Sequence, residues 1–269
     1  MIEKEKAVAE IGVKFLPRVR VGRGLWEINA DGMHYRDLNT LLRSISNNGN
    51  GSKGIEIRNV YGQRYIGTDM EKDTEIFIFG TPGNDLGAFM NGASLVIHGN
   101  VQDGCGNTMN EGRIVIHGHA GDVTGYSMRG GKIFIRDDVG YRAGIHMKEY
   151  SNKRPYLVIG GTAQDFLGEY MAGGVLVVLG LNLKAKKRFR AKFVGTGMHG
   201  GVLYVRGEIS HIGKEVEVRA VDKKDVDLIQ GLVKEFCSYF DFNFDRIMQG
   251  RFTKIVPVSN RPYGGLYAY

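Results

Sequence analysis

The sequence predicts an all-β protein, a parallel β-helix of about seven turns built on a ~19-residue repeat, with a short helix near each end. Three observations carry this. A Gly-x-x-Met phrase occurs seven times, with glycines at Gly67, Gly87, Gly106, Gly125, Gly144, Gly168 and Gly195 and methionines at Met70, Met90, Met109, Met128, Met147, Met171 and Met198. The Met-to-Met steps are 20, 19, 19, 19, 24 and 27 residues. Each Met is followed by an apolar i, i+2 pair: Ile76/Ile78, Leu95/Ile97, Ile114/Ile116, Ile133/Ile135, Leu157/Ile159, Leu176/Val178 and Leu203/Val205. Finally, 40 of the 269 residues are Gly, as a chain needs when it turns tight corners or passes close to neighbouring backbone at every level.

A period near 19 is too short for two helices and a turn, which need roughly 33 residues. It suits one turn of a coil whose strands stack about 4.8 Å apart. Alternation along each strand sends the paired residues inward to a core and the residues between them outward. Met, unbranched and flexible, can fill an interior that accepts the same side chain at every level. Stacked core Met explains the period without a thioether-bound metal. The longer steps reflect insertions at 149–155 and 181–193, and the register resumes after each.

In chain order, residues 1–53 form an N-terminal arm and a capping helix. Leu38, Leu41, Leu42 and Ile45 lie at helical spacing over 35–46 and are followed by the breaker run NNGNG. Residues 54–207 form the coil. Residues 208–269 supply a strand at 213–221, a helix beginning at Asp222, and an aromatic, turn-rich tail expected to lie along another surface. In that helix Val226, Ile229, Leu232, Val233, Phe236 and Phe240 share one face, and Asp222 is the expected N-cap.

The outward column between the inward pairs is Phe77, Val96, Val115, Phe134, Val158, Val177 and Tyr204. It is apolar at every level where a solvated face would be polar, and six steps make it roughly 29 Å long. Two readings stand open. The C-terminal helix, of about 17 residues and roughly 25 Å, covers the stripe, or a partner subunit docks on it.

The chain is long enough to bury its own core. It contains two cysteines, Cys105 and Cys237, in no CxxC pair. No signal-peptide core and no 18-residue apolar span is present, so a cytoplasmic protein without a membrane partner is expected. The net charge of +7 leaves nucleic acid or an acidic partner open.

Several patterns invite chemistry, and each has a structural alternative. GTGMHG at 195–200 matches the dinucleotide fingerprint literally, but a strand follows it where a helix is required. His98 and His117 share one repeat position, with His119 two residues on; no carboxylate or Cys completes a metal set at matching spacing, which favours a surface ladder. Asn84, Asp103, Asp122 and Asp165 each stand six residues before a Met, where turn residues that bond their own backbone are expected. The insertion carrying Lys184, Lys186, Lys187, Arg188, Arg190 and Lys192, with Phe189 and Phe193 interleaved, suits a docking arm for an acidic subunit or a solvated loop better than nucleic acid. Lys186, Arg188 and Arg190 join the apolar stripe as candidate partner contacts. There is no Walker A, HExxH or nucleophile elbow.

Four segments, GTPGNDLGAFMNGA (80–93), GNVQDGCGNTMNEGRIVIHG (99–118), GYRAGIHMKEY (140–150) and DFLGEYMAGGVLVVLG (165–180), resemble the GXGXG domain at the C-terminus of the glutamate synthase large subunit. The match is closest to the free-standing archaeal type and covers about 35–207. One component of formylmethanofuran dehydrogenase resembles the same coil, and a stand-alone carbohydrate-acting β-helix enzyme is a remote alternative. The glutamate synthase resemblance implies a right-handed coil with no catalytic, cofactor or metal residue of its own. It implies partners, an amidotransferase and an FMN-binding synthase subunit, with FMN and iron–sulfur clusters held by partner subunits. A homo-oligomer is also compatible with it.

Overall fold

The structure, a computed structural model, describes residues 19–22, 25–48, 54–71, 74–183 and 189–259. A hairpin of β1 (Val19–Gly22) and β2 (Leu25–Asn29) precedes α1 (Tyr35–Asn48). Then come β3 (Gly54–Tyr61), β4 (Glu75–Thr81), β5 (Asn91–His98), β6 (Glu111–Ile116), β7 (Lys132–Ile135), β8 (Tyr156–Ile159), β9 (Ala172–Val178) and β10 (Gly200–Arg206). β11 (Val216–Arg219), α2 (Lys223–Phe240), α3 (Phe244–Met248) and β12 (Phe252–Pro257) follow. All strands join one 12-stranded sheet in the order β1 to β10, then β12, then β11. Every neighbour from β2 to β10 is parallel.

This is a parallel β-solenoid of about six turns. The seven phrases of the sequence suggest one turn more than this. The register places Ile76, Leu95, Ile114, Ile133, Leu157, Leu176 and Leu203 one above the other, each fully buried. The seven methionines lie in the same core cluster, Met70 4% exposed and the others 0%. The parallel ladder also takes in β2, whose Trp26 and Ile28 are buried.

The two ends close differently. At the first rungs Leu38, Leu41, Leu42 and Ile45 of α1 enter the main core. Gln63 ties the preceding loop down by donating to the Ala30 and Met33 carbonyls at 3.0 and 3.2 Å. At the last rung β12 runs antiparallel to β10, with Ile255 opposite Leu203 and fully buried, and β11 adds outside it. Residues 252–257 of the tail therefore form a strand of the sheet where the sequence suggested a surface segment, and residues 260–269 lie outside the described residues. Ile255 extends the inward column by one level, and the reversed strand stops parallel growth.

The outward stripe packs against α2. Val115, Phe134, Val158, Val177 and Tyr204 form a second core with Ile229, Leu232, Val233, Phe236 and Phe240. Over these levels the stripe serves the chain's own helix and is closed to an outside subunit, because burying it in cis removes a large apolar patch from water at about 25 cal/mol per Å². Phe77 and Val96, at the near end, stay half-buried. Val226, on the predicted helix face, is 36% exposed. Asp222 is the N-cap of α2 and forms a reciprocal capping box with Asp225.

Candidate functional site

Each Gly-x-x-Met phrase folds as two overlapping turns. In one example the Asn107 amide donates to the Gly104 carbonyl at 3.0 Å and the Met109 amide to the Gly106 carbonyl at 3.1 Å. Gly106 and Thr108, the third residues of these turns, take φ of 70° and 54°, the positive values that place requires in a type II turn, and Gly104, which opens the first turn, is left-handed as well at 71°. The same triplet recurs at Asp85, Gly87 and Phe89 and at Phe166, Gly168 and Tyr170. Three alternate residues per level are left-handed, and all three amides bond between levels. Gly106 donates to Leu86, Gly104 to Asp122 and Thr108 to Tyr126, at 2.8, 2.9 and 2.8 Å.

The central position differs from the outer two. A Cβ on Gly106 would sit 2.3 Å from Ile133 Cδ1, and one on Gly87 would sit 2.7 Å from Ile114 Cδ1. Glycine is required there by space as well as by φ. The outer positions carry the same conformational demand and are glycine only at Gly104 and Gly197, where an added Cβ would meet Asp85 Oδ1 at 2.8 Å and Tyr170 Cδ1 at 2.3 Å; larger side chains occupy the rest. Tyr65, Phe89 and Phe193, at φ of 62°, 56° and 58°, are 38%, 49% and 52% exposed. Phe193 stacks on Phe166 at 5.0 Å, and His146 stacks on Tyr170 at 5.3 Å with Tyr126 edge-on at 6.0 Å. Composition and periodicity did not single out this aromatic face. The readable signal is a bulky residue two places before or after a repeat glycine.

The polar candidates act in the coil. Asp103 Oδ1 accepts from the Asp122 amide, Asp122 Oδ1 from the Tyr141 amide and Asp165 Oδ1 from the Lys192 amide, each at 2.8 Å. They cap the amide of the next level, where the sequence suggested their own turn. A second ladder runs from Asn100 to the His119 amide, from His119 Nδ1 to the Asp138 amide and from Asp138 to the Thr162 amide. Burial works to raise the Asp138 pKa, but the Thr162 and Asn182 donors outweigh it and the net shift is downward.

His98 and His117 stack at 4.8 Å between Phe79 and Phe240. Burial, His98 and Arg136 together lower the pKa of His117. Among the described residues no group of three or more His, Cys, Asp or Glu is placed to hold a metal ion. Gly195 and Gly197 of the GTGMHG run belong to the double turn that starts at Phe193, and β10 follows. Cys105 is buried, and desolvation pushes its thiol up to about 12. In the basic insertion Lys184, Lys186, Lys187 and Arg188 lie outside the described residues; Phe189 is anchored in the core and Arg190 is exposed. No helix among the described residues is long and apolar enough to cross a membrane.

Compared with known proteins, residues 37–258 match the GXGXG motif family model. Uncharacterized protein MJ1350 of Methanocaldococcus jannaschii is 48% identical over 248 residues, covering 89% of this chain and 95% of the relative. Glycine at alternate positions, as the motif's name spells it, is what three left-handed residues per level call for.

Proposed function

The chain belongs to the GXGXG motif family, and on that premise we propose that it is the non-catalytic scaffold subunit of a glutamate synthase-type complex, organising an amidotransferase and an FMN-binding synthase subunit. In this reading FMN and iron–sulfur clusters reside in the partners, and glutamate is made there from glutamine and 2-oxoglutarate. The supporting observation is the outer face of the double turn. Tyr65, Phe89 and Phe193 hold exposed aromatic rings at left-handed φ. A left-handed backbone costs an L-residue roughly 1–2 kcal/mol relative to its right-handed form, and a ring that is 38–52% exposed recovers only part of that by burial. Stability alone selects Gly or Asn at such positions. Strained, exposed aromatic rings along one side of a rigid rod suit a surface that other subunits cover.

The test begins with purification of the protein from its native source and identification of what accompanies it. Amidotransferase and flavin-binding polypeptides are expected. Pterin-binding subunits in their place would move the chain to a formylmethanofuran dehydrogenase, and turnover by the isolated chain would refute the scaffold role. In the reconstituted complex, Phe89→Asn with Phe193→Asn should weaken assembly at least ten-fold while the thermal midpoint holds or rises.

A further inference from the structure

A cleft of about 410 Å³ opens where the first insertion interrupts the repeat. Its floor is the start of three successive rungs, where Arg113, Lys132 and Tyr156 stand side by side in register. One wall is Glu235 of α2, and the other is Lys153 and Arg154 of the inserted segment, where Tyr150 and Lys153 form an antiparallel bridge. Four cations thus face two carboxylates, Glu111 and Glu235, across one concavity.

The cations are unevenly matched. Lys132 Nζ lies 2.6 Å from Glu235, Lys153 Nζ 3.1 Å from Glu111, and Arg154 Nε 2.9 Å from Glu149 outside the cleft. Arg113 donates only to neutral oxygens, the Ser94 and Tyr239 hydroxyls at 3.0 and 3.1 Å, and its buried Nε has no acceptor. Among the described residues no carboxylate pairs with it. The Lys153–Glu111 pair is 37% and 38% exposed, so it is weak and Lys153 can exchange partners at little cost. The repeat alone would supply Arg113 and Lys132; the five extra residues of the 24-residue step bring in the second pair of cations.

We propose that this cleft is a binding site for a small oxyanion, a phosphate ester or a dicarboxylate, seated over Arg113 and closed by Lys153 and Arg154. A guanidinium offers planar donors that match carboxylate and phosphate oxygens, and the flanking ammonium of Lys153 adds a mobile charge. The volume falls in the range of metabolite pockets. The site is independent of the exposed turn face and of any assembly role.

The full chain is titrated with inorganic phosphate and, separately, with succinate, at constant ionic strength set with chloride, following the thermal midpoint and the heat of binding. A saturable upward shift with either anion is expected, and which anion gives it assigns the chemistry. Lys153→Ala should weaken that binding at least ten-fold, as should Arg113→Gln if it folds, whereas Lys148→Ala, an exposed cation outside the cleft, should leave it unchanged. Shifts that fail to saturate, or binding retained in Lys153→Ala, would overturn the assignment.

Discussion

Gly106 and Phe89 occupy backbone of the same hand, with φ of 70° and 56°, yet opposite substitutions should succeed at them. Gly106→Ala meets both the left-handed penalty and a Cβ 2.3 Å from Ile133 Cδ1. The two terms sum to about 3 kcal/mol of destabilisation, measurable as a fall in the urea midpoint. Phe89→Asn removes an exposed ring in favour of a residue that tolerates the conformation, and should raise stability by roughly 0.5–1 kcal/mol in the same assay. This contrast also explains what could be read from the sequence at this scale. The central glycine was legible because no other residue fits it, so it never varies from level to level. The outer positions were not, because Asp85, Thr108, Val123, Arg142 and Tyr170 all hold positive φ, their amides secured by bonds between levels, and no single residue type marks the site.

Among the elements, α2 depends on a buried polar contact as much as on its apolar face. The Tyr204 hydroxyl donates to Asp225 Oδ1 and the Lys254 ammonium donates to Asp225 Oδ2 at 2.7 Å, with Tyr204 1% and Asp225 6% exposed. Burial works to raise the Asp225 pKa, but Lys254, Tyr204 and the Asp222 amide overcome it and the net shift is downward. A carboxyl with a folded pKa below its unfolded one contributes in full above the unfolded value and loses that contribution as pH falls through the folded value. Asp225→Asn should therefore cost about 2 kcal/mol at pH 7, since it takes from the half-buried Lys254 its near counter-charge and leaves only Asp222 Oδ2 at 3.9 Å. The gap from wild type should begin to narrow below about pH 4, the ordinary carboxylate range, and close as pH falls through the lower folded value. Urea midpoints at pH 7 and pH 3 check both parts. The helix itself could be foreseen, since an apolar stripe on the coil and an apolar helix face of similar length need each other. β12 could not, because it has one fully buried residue, Ile255, among half-buried neighbours, and an antiparallel partner shares no period with the rungs.

For the whole molecule, the parallel ladder makes every rung a template for the next, so the fold must specify where it stops. It does so with one C-terminal unit that performs two tasks. β12 occupies the free edge of β10 in the opposite direction, and α2 lies over Val115, Phe134, Val158, Val177 and Tyr204. A chain ending at Val221 loses both. Five levels of apolar side chain, about 19 Å at a rung spacing of ~4.8 Å, would then face water beside an unpaired strand edge. Such a chain should self-associate into large species by sedimentation, with its far-ultraviolet β signal largely kept, because the rungs before β10 retain every contact with one another. A truncated chain that remained at a single small size would mean that neither the helix nor the reversed strand is what terminates the coil. Collapse of the β signal would mean instead that the rungs depend on the cover for their own pairing, contrary to the separation of the two cores along the two faces of the sheet.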